Sequence, residues 1–363
     1  MNADNPGVDA PHPEHTHTNS PDTDYSNTDS IGIAIVGTGS VADFHVTAIN
    51  HTAGAHLAAV VHYDPKQFAV LAARFGVPCI SFDAALEHHD IHALSLCTPS
   101  GQHATQTIAA AQAGKHVMVE KPMALTPTDA DAMIAACERA NVRLAVMLQR
   151  RGEVLFQKVQ QAIRAGDLGT LRLGLITMPY FRADAYYQQA AWRGTWALDG
   201  GGVLMNQGIH LLDLLLWYLG DPVNIQASAG TLERTIEVED TLTGMLEFAS
   251  GARATVTATT TAAPGFAHRL ELYGNQGGIQ IEGEHIKKWT LTHSGQVTPL
   301  SATTHDDAGA GADPRGIAAT GHIALMQDFV SSIRHNRPPL VSGTDGKRSI
   351  QTIWDIYRAA NLC

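Results

Sequence analysis

Four residues carry types and spacings suited to proton-transfer chemistry: Lys121, Asn206, His210 and Asp213. The last three lie in the stretch 200–220, "GGGVLMNQGIHLLDLLLWYLG". From Val203 onward it reads as a helix ended by Gly220 and the Asp221–Pro222 pair. Leucines lie all round that helix, which predicts burial. Asn206, His210 and Asp213 recur at i, i+4 and i+7 and so share one stripe. Gly208 sits between them, where glycine costs about 1 kcal/mol relative to Ala. Buried polar groups need partners, supplied by the fold or by a ligand. A histidine titrates near neutral pH and suits a general base. Lys121 is squeezed between an apolar run and a proline in "VMVEKP", an unusual place for a merely solvated charge.

The elements that must position these residues begin at Ile31. Across 31–150, short apolar runs ("IGIAIV", "HLAAVV", "ALSLC", "HVMVE", "RLAVM") alternate with Ala-rich helical stretches near 65–75, 103–113 and 127–140. That alternation predicts an α/β domain, a doubly wound parallel sheet covered on both faces. The first run leads directly into "GTGSVADFH". Gly37, Gly39 and Ala42 match the G-x-G-x-x-G/A dinucleotide fingerprint: a tight turn, close backbone approach to a pyrophosphate, and a small residue for helix packing. Thr38, Ser40 and Val41 complete the turn at a helix N-terminus, where a phosphate is expected. The second run ends in "VVHYDP". Asp64 is present, but His62 takes the place expected for the ribose carboxylate, and no arginine directly follows for a 2′-phosphate. The cofactor reading is NAD, with NADP left open. Ligands in such sheets bind outside the carboxyl ends of the strands. Thr98, Pro99, Ser100 and His103 fall there, as do Glu120, Lys121 and Pro122.

After Arg151 the pattern changes. A helix near 154–165 leads to the strand "LRLGLITM" and an aromatic, arginine-bearing loop, "PYFRADAYYQQAAWRGTW". Hairpin-like alternations follow the Leu-rich helix, broken by Ser-Gly, Asn-Gln-Gly and Glu-Gly turns, and predict an open, largely antiparallel sheet of α+β type. Residues 301–316 read as a small-residue loop, and two helices close the chain near 322–334 and 347–359. The expected division is a tail over 1–30, a Rossmann domain over 31–150 and a substrate and oligomerisation domain over 151–363. Aromatic faces and arginines suit a sugar carrying a carboxylate or phosphate, which singles out Tyr180, Arg182, Trp192 and Arg193, with Tyr186 and Tyr187 beside them. The same residues would also suit a subunit interface. Arg151, at the junction, and His322, opening a late helix, are further substrate-site candidates.

"GTGSVADFH", "TPSGQHA", "EKPMA" and "GGGVLMNQGIHLLD" occur in this order and spacing. Together they resemble the glucose-fructose oxidoreductase / inositol dehydrogenase / rhizopine catabolism (Gfo/Idh/MocA) family, over about residues 31–363. Within it, "WRGTWALDGGG" followed by "NQGIH" is most similar to a branch of sugar and nucleotide-sugar dehydrogenases, UDP-N-acetylglucosaminuronate 3-dehydrogenases among them. The resemblance implies a sugar bound between two domains, beside the nicotinamide, and a homodimer or homotetramer formed through the outer face of the C-terminal sheet. It maps the family's Glu-Lys-Pro lysine onto Lys121 and its active-site histidine onto His210. Hydride transfer from a sugar carbinol then needs His210 as base and Lys121 to stabilise the alkoxide. Many members carry Asp where this chain has Asn206, an amide that can position a substrate but not act as a base. On that comparison Asn206→Asp should be tolerated. Gly208 is expected to admit a ring, the nicotinamide, and Asp213 to orient the imidazole or brace the helix. Two other readings share the architecture: an NAD-dependent glycoside hydrolase and an NAD(P)-binding regulatory protein without turnover.

Composition bounds the remainder. Formal net charge is -11, of which six acidic residues and no Lys or Arg fall in residues 1–30. The rest of the chain carries no basic footprint for nucleic acid, and no apolar run approaches the roughly 20 residues of a membrane span. Cys79, Cys97, Cys137 and Cys363 lack metal-ligand spacing and read as free thiols of a cytoplasmic protein. His12, His15 and His17 lie in a polar tail without a framework to hold a metal. The tail has too little apolar content to join a core and reads as disordered. Deleting residues 1–30 should leave melting temperature and turnover near wild type. A large loss of either would show that the tail docks.

Overall fold

The computed structural model describes residues 30–293, 296–300 and 319–362. The acidic tail before Ser30, the loop read over 301–316 and Cys363 lie outside the described residues. Six parallel strands form the first sheet: β1 (Ile31–Val36), β2 (Ala55–Val61), β3 (Cys79–Ile80), β4 (Ala93–Leu96), β5 (His116–Glu120) and β6 (Leu144–Met147), in the order β3-β2-β1-β4-β5-β6. The predicted runs supply five of them. The sixth, β3, is only two residues long, too short to show a period. Helices α1 (Ala42–Asn50), α2 (Phe68–Phe75), α3 (Phe82–Glu87), α4 (His103–Gln112) and α5 (Pro127–Arg139) connect the strands. Every residue of β1 is buried, as expected for a strand covered on both faces. The strand order reverses between β1 and β4, so a crevice opens outside their carboxyl ends.

Helix α6 (Val154–Ala165) leads into a second, eight-stranded sheet. It comprises β7 (Leu171–Pro179), β8 (Pro222–Gly230), β9 (Thr241–Phe248), β10 (Arg253–Thr259), β11 (Arg269–Gly274), β12 (Gly277–Glu282), β13 (His285–His293) and β14 (Gln296–Leu300). The order is β14-β13-β12-β11-β7-β10-β9-β8, and every pairing is antiparallel except β7 with β10. Strand β8 escaped the sequence reading because it is an edge strand with little buried apolar content. A short helix α7 (Asp184–Gln188) and the Leu-rich α8 (Ile209–Leu219) sit between β7 and β8. The leucines of α8 pack onto the inner face of the sheet: a Cβ on Gly174 of β7 would meet Leu215 at 2.8 Å and Leu219 at 2.9 Å. Along β9 the burial alternates, with Leu242, Leu246 and Phe248 inward and Met245 exposed on the other face.

Two helices return to the first sheet. Helix α9 (Thr320–Arg334) packs on α1, and α10 (Gly343–Ala359) packs on α5 and β8. A capping box of Ser342 and Asp345 starts α10. Ser342 also bridges to Ala145 of β6.

The docking of α8 rests on a buried ion pair. Arg151 Nε and Nη2 donate to the two oxygens of Asp213, each at 2.7 Å, and both residues are 1% exposed. Arg151 Nη1 donates to Asp345 at 2.9 Å, and the Ser349 hydroxyl donates to Asp213 at 3.1 Å. Removing one partner of such a pair leaves an uncompensated buried charge, at a cost of about 3–5 kcal/mol. Asp213→Ala should therefore lose about that much stability in urea unfolding. A loss under about 1 kcal/mol would show that the pair is solvated.

Candidate active site

A cavity of about 640 Å³ opens at the strand-order reversal and runs from the β1–α1 turn to the start of α8. Gly37 has φ +97°, and a Cβ there would lie 2.7 Å from the Cys97 carbonyl oxygen, so only glycine makes this turn. A Cβ on Gly39 would meet nothing within 4 Å. Its missing side chain therefore faces open cavity. Thr38, Ser40 and Val41 line the same end, as do Thr98, Pro99 and Ser100. His62 lines it too, presenting an imidazole where an acid was sought. Asp64 is turned away from the cavity to accept the Lys66 N–H at 3.0 Å. Arg74 of α2, unremarked in the sequence, donates to the Thr38 carbonyl, but Asp43 neutralises it through two bonds of 2.9 Å.

Two residues expected at the cofactor site stand in the scaffold, Ala42 in the packing role its fingerprint position implied and His103 against expectation. Ala42 is fully buried, away from the lining, and its small side chain lets α1 pack closely. His103 is also buried; its ring bonds the carbonyls of Pro122 and Thr98, each at 2.9 Å. It ties together the two loops that carry Lys121 and Ser100.

Glu120 ends β5 and lines the cavity. Its Oε2 accepts the Lys121 N–H at 3.0 Å, and its Oε1 bonds His45 Nε2 at 2.8 Å. Burial drives Glu120 up, but the His45 contact outweighs it and holds the carboxyl down at about 2. Burial likewise opposes the His45 charge, yet Cys97 and Glu120 raise that imidazole to about 10. His45 was overlooked because the fingerprint absorbed it as one more helical residue. His322 stacks on Phe44 with ring centroids 5.1 Å apart and stands 3.9 Å from Glu120. Burial pushes it down to about 4. His45, Glu120 and His322 offer three ligand atoms within 4.8 Å, but both Glu120 oxygens already accept protein hydrogen bonds. His45 and Glu120 read as a hydrogen-bonded ion pair, with His322 packed beside it.

The opposite wall comes from the second sheet and its connection to α8. Residues Leu204–Gly208 form a π-helical turn before α8 begins. Such turns are rare and recur at functional sites. Glu239 holds the turn in place: it accepts the Gly202 N–H at 2.7 Å, the Leu204 N–H at 3.0 Å and the Tyr357 hydroxyl at 2.8 Å. A Cβ on Gly202 would sit 1.7 Å from the Glu239 carbonyl oxygen, which explains a glycine there. Asn206 and His210 both line the cavity. Lys121 Nζ donates to the Asn206 carbonyl at 2.8 Å and approaches Asn206 Oδ1 at 3.4 Å. Burial, with Lys121 and Arg150 nearby, pushes His210 well below its usual range, and its Nδ1 has no hydrogen-bond partner. The imidazole is thus neutral and able to accept a proton.

The expected single polar stripe is divided. Asp213 faces Arg151 rather than the cavity, and so braces the helix. Gly208 faces Leu204 and Met178, at 3.0 and 3.4 Å from a built Cβ, and so serves packing rather than a nicotinamide ring. His210 and Asp213 both stand in the regular part of α8, where a step of three residues already separates their directions, and Arg151 captures the second. Arg151 is likewise no substrate residue, being consumed by Asp213 and Asp345. Its neighbour Arg150 lines the cavity, held by Glu284 at 2.9 Å. The aromatic loop lines the cavity with Tyr180, Arg182, Tyr186, Trp192 and Arg193. The Arg193 guanidinium lies 4.2 Å from the Tyr186 ring centroid and 4.7 Å from that of Trp192. Tyr187 instead donates to Thr260.

These features define an NAD-binding oxidoreductase. Residues 31–148 match the oxidoreductase family with an NAD-binding Rossmann fold, and residues 156–280 match the GFO/IDH/MocA C-terminal domain. The chain belongs to the Gfo/Idh/MocA family. It is similar to inositol 2-dehydrogenase of Rhizobium meliloti (strain 1021), 27% identical over 336 residues that cover 85% of this chain and 98% of that one. D-apiose dehydrogenase of Paraburkholderia graminis is 27% identical over 340 residues, covering 90% and 87%. Among solved structures, the WlbA dehydrogenase from Bordetella pertussis, in complex with NADH and UDP-GlcNAcA, superposes with a TM-score of 0.80. It is 31% identical, with 92% of this chain and 97% of that chain covered. Among the described residues, no helix is long and apolar enough to cross a membrane.

The β1–α1 turn offers a dinucleotide chiefly backbone. Gly39→Val should leave the fold intact, since its Cβ enters open space, and abolish calorimetric NADH binding. Wild-type affinity in a folded variant would mean that the pyrophosphate lies elsewhere.

Proposed function

We propose that the protein oxidises a secondary alcohol of an acidic sugar or nucleotide-sugar with NAD, using His210 as general base and Lys121 to stabilise the alkoxide. The observation that carries this reading is one continuous cavity, lined at one end by the Gly37–Val41 turn and at the other by Lys121, His210, Arg150, Arg182 and Arg193. Three arginines and a lysine around neutral aromatic faces suit a ligand bearing carboxylate or phosphate. Asn206, an amide, positions the substrate and cannot serve as the base. Similarity to a dehydrogenase solved with UDP-GlcNAcA supports the nucleotide-sugar form. Substrate lies between a dinucleotide-binding domain, 31–150, and a second domain, 151–363. Two or four copies associate through the outer face of the second sheet, where Leu173 and Met245 are exposed. The free, buried thiols of Cys79, Cys97 and Cys137 suit a cytoplasmic setting.

The test is NADH formation from UDP-N-acetylglucosaminuronate, glucuronate and myo-inositol in parallel. The acidic sugars should be preferred, and preference for myo-inositol would sink the acidic-substrate reading. Assays with chromogenic glycosides should release no aglycone. With the preferred sugar, folded His210→Ala should lose about 10²–10⁴-fold in kcat, the usual span for one positioned acid–base group. Its NADH affinity should change little. Lys121→Ala should also fail, and Lys121→Arg should not restore it, because the two cations differ in shape. A folded His210→Ala enzyme with most of its activity would remove the histidine from the chemistry.

A further inference from the structure

Asp199 is a buried carboxylate that the site as described leaves without a task. It is 3% exposed and lies just before the glycine run that leads into the π turn. Its Oδ1 accepts the Asn206 Nδ2–H at 2.9 Å, and its Oδ2 accepts the Gly194 N–H at 2.9 Å. Burial pushes the carboxyl up, but with both oxygens accepting and Lys121 and Arg193 nearby the ionised form is the one matched to these partners. The first bond also settles the Asn206 amide: Nδ2 points at Asp199, so Oδ1 points at Lys121 Nζ, 3.4 Å away. The second holds the loop that carries Arg193 at the cavity wall.

We infer that Asp199 is a positioning residue for hydride transfer, supplying through Asn206 the negative charge that orients the Lys121 ammonium and keeps it protonated. This rests on the reading of Lys121 as the group that stabilises the alkoxide. An ammonium has three donors. Two acceptors on Asn206 engage Lys121 from one side, which leaves donor capacity toward the cavity that Lys121 lines. Burial pushes Lys121 down, and so do the cations Arg193 and Arg182; Glu120 and Asp199 are the anions that oppose them. His210 and His103 also face Lys121, both with their own basicity lowered by burial. Glu120 already carries a full ion pair with His45, so Asp199 is the carboxylate not committed to another cation by hydrogen bonding. On its own side Asp199 faces Arg193, Lys121 and the Tyr186 phenol. The geometry also overturns the expectation that Asn206→Asp is harmless. That change would set a second carboxylate about 3 Å from Asp199, where two such groups must share a proton.

A charge-swap series tests the inference, with kcat measured against pH on UDP-N-acetylglucosaminuronate and NAD. A second readout needs no substrate: competitive acetylation of Lys121 across pH, followed by mass spectrometry, gives its titration midpoint. Asp199→Asn should lower kcat about 10²-fold, the scale of a misplaced catalytic group, with NADH affinity unchanged. It should also move the alkaline limb of kcat and the Lys121 midpoint to lower pH. Asn206→Asp alone should be impaired as well. The double variant Asp199→Asn/Asn206→Asp restores a single carboxylate beside Lys121 and should recover kcat to within about tenfold of wild type. An Asp199→Asn enzyme with wild-type kcat and an unmoved Lys121 midpoint overturns the inference. So does an impaired Asp199→Asn whose Lys121 midpoint stays put and which the double variant does not rescue, since Asp199 would then merely brace the loop. If Lys121→Ala keeps full turnover, the fault lies in the reading of the site, and the acetylation midpoint still judges Asp199 separately.

Discussion

The bidentate pair between Arg151 and Asp213 is the constraint on which the site depends. The two key side chains come from different layers: Lys121 directly follows β5 of the first sheet, while His210 stands in the first turn of a helix packed on β7 of the second. Their meeting requires α8 to be held at one depth and rotation against the first sheet. Leucine packing alone is non-directional and would permit sliding. A guanidinium and a carboxylate sharing two parallel hydrogen bonds permit one geometry. Arg151 lies in the short turn just beyond β6, and its third contact reaches Asp345 in the first turn of α10. One buried cation thus joins the edge of the parallel sheet, the substrate-side helix and the closing helix. Such pairs are weak sources of net stability, but here the pair specifies register.

A second carboxylate performs the matching task at the other end of that helix. Glu239 pins the backbone of Gly202 and Leu204, while Tyr357 of α10 bonds the same group. Burial pushes Glu239 up to about 7 in spite of these donors. Glu239, bonded just before the helix, and Asp213, in its middle, hold it at two points, and the π turn lies between them. Asn206, inside that turn, and His210, just after it, face the cavity, while Asp213 faces Arg151.

Much of this was legible in the sequence, for identifiable reasons. The parallel sheet announced itself through β-branched runs buried on both faces, and the first turn through Gly37, which no other residue could replace, and Gly39, whose missing side chain leaves the cavity open. Lys121, His210 and Asn206 were found because charge and amide stand out against leucine and valine. What failed was anything set by long-range pairing. Arg150 and Arg151 are adjacent and chemically identical, and only the fold decides that Arg151 meets Asp213 while Arg150 lines the cavity. His103 looked like a ligand because its position at a strand end is where ligands bind, yet two carbonyls 2.9 Å away claim it. Gly208 could not be read because a π turn has no sequence period of its own.

The charges of the cavity leave one consequence for the base. Lys121, Arg150 and His322 all depress the basicity of His210, on top of burial. In the free protein this keeps the imidazole neutral, the correct form for a base, but a weak one. An anionic group bound beside Arg150 and Lys121 cancels part of that field and raises the proton affinity of His210. A neutral sugar would not do so. On the proposed reading, cationic walls would act twice: they would recognise an acidic ligand, and they would hold His210 in reserve until that ligand arrived. Discrimination between acidic and neutral sugars would then appear in kcat as well as in binding, because the charge that anchors the substrate also strengthens the group that deprotonates it.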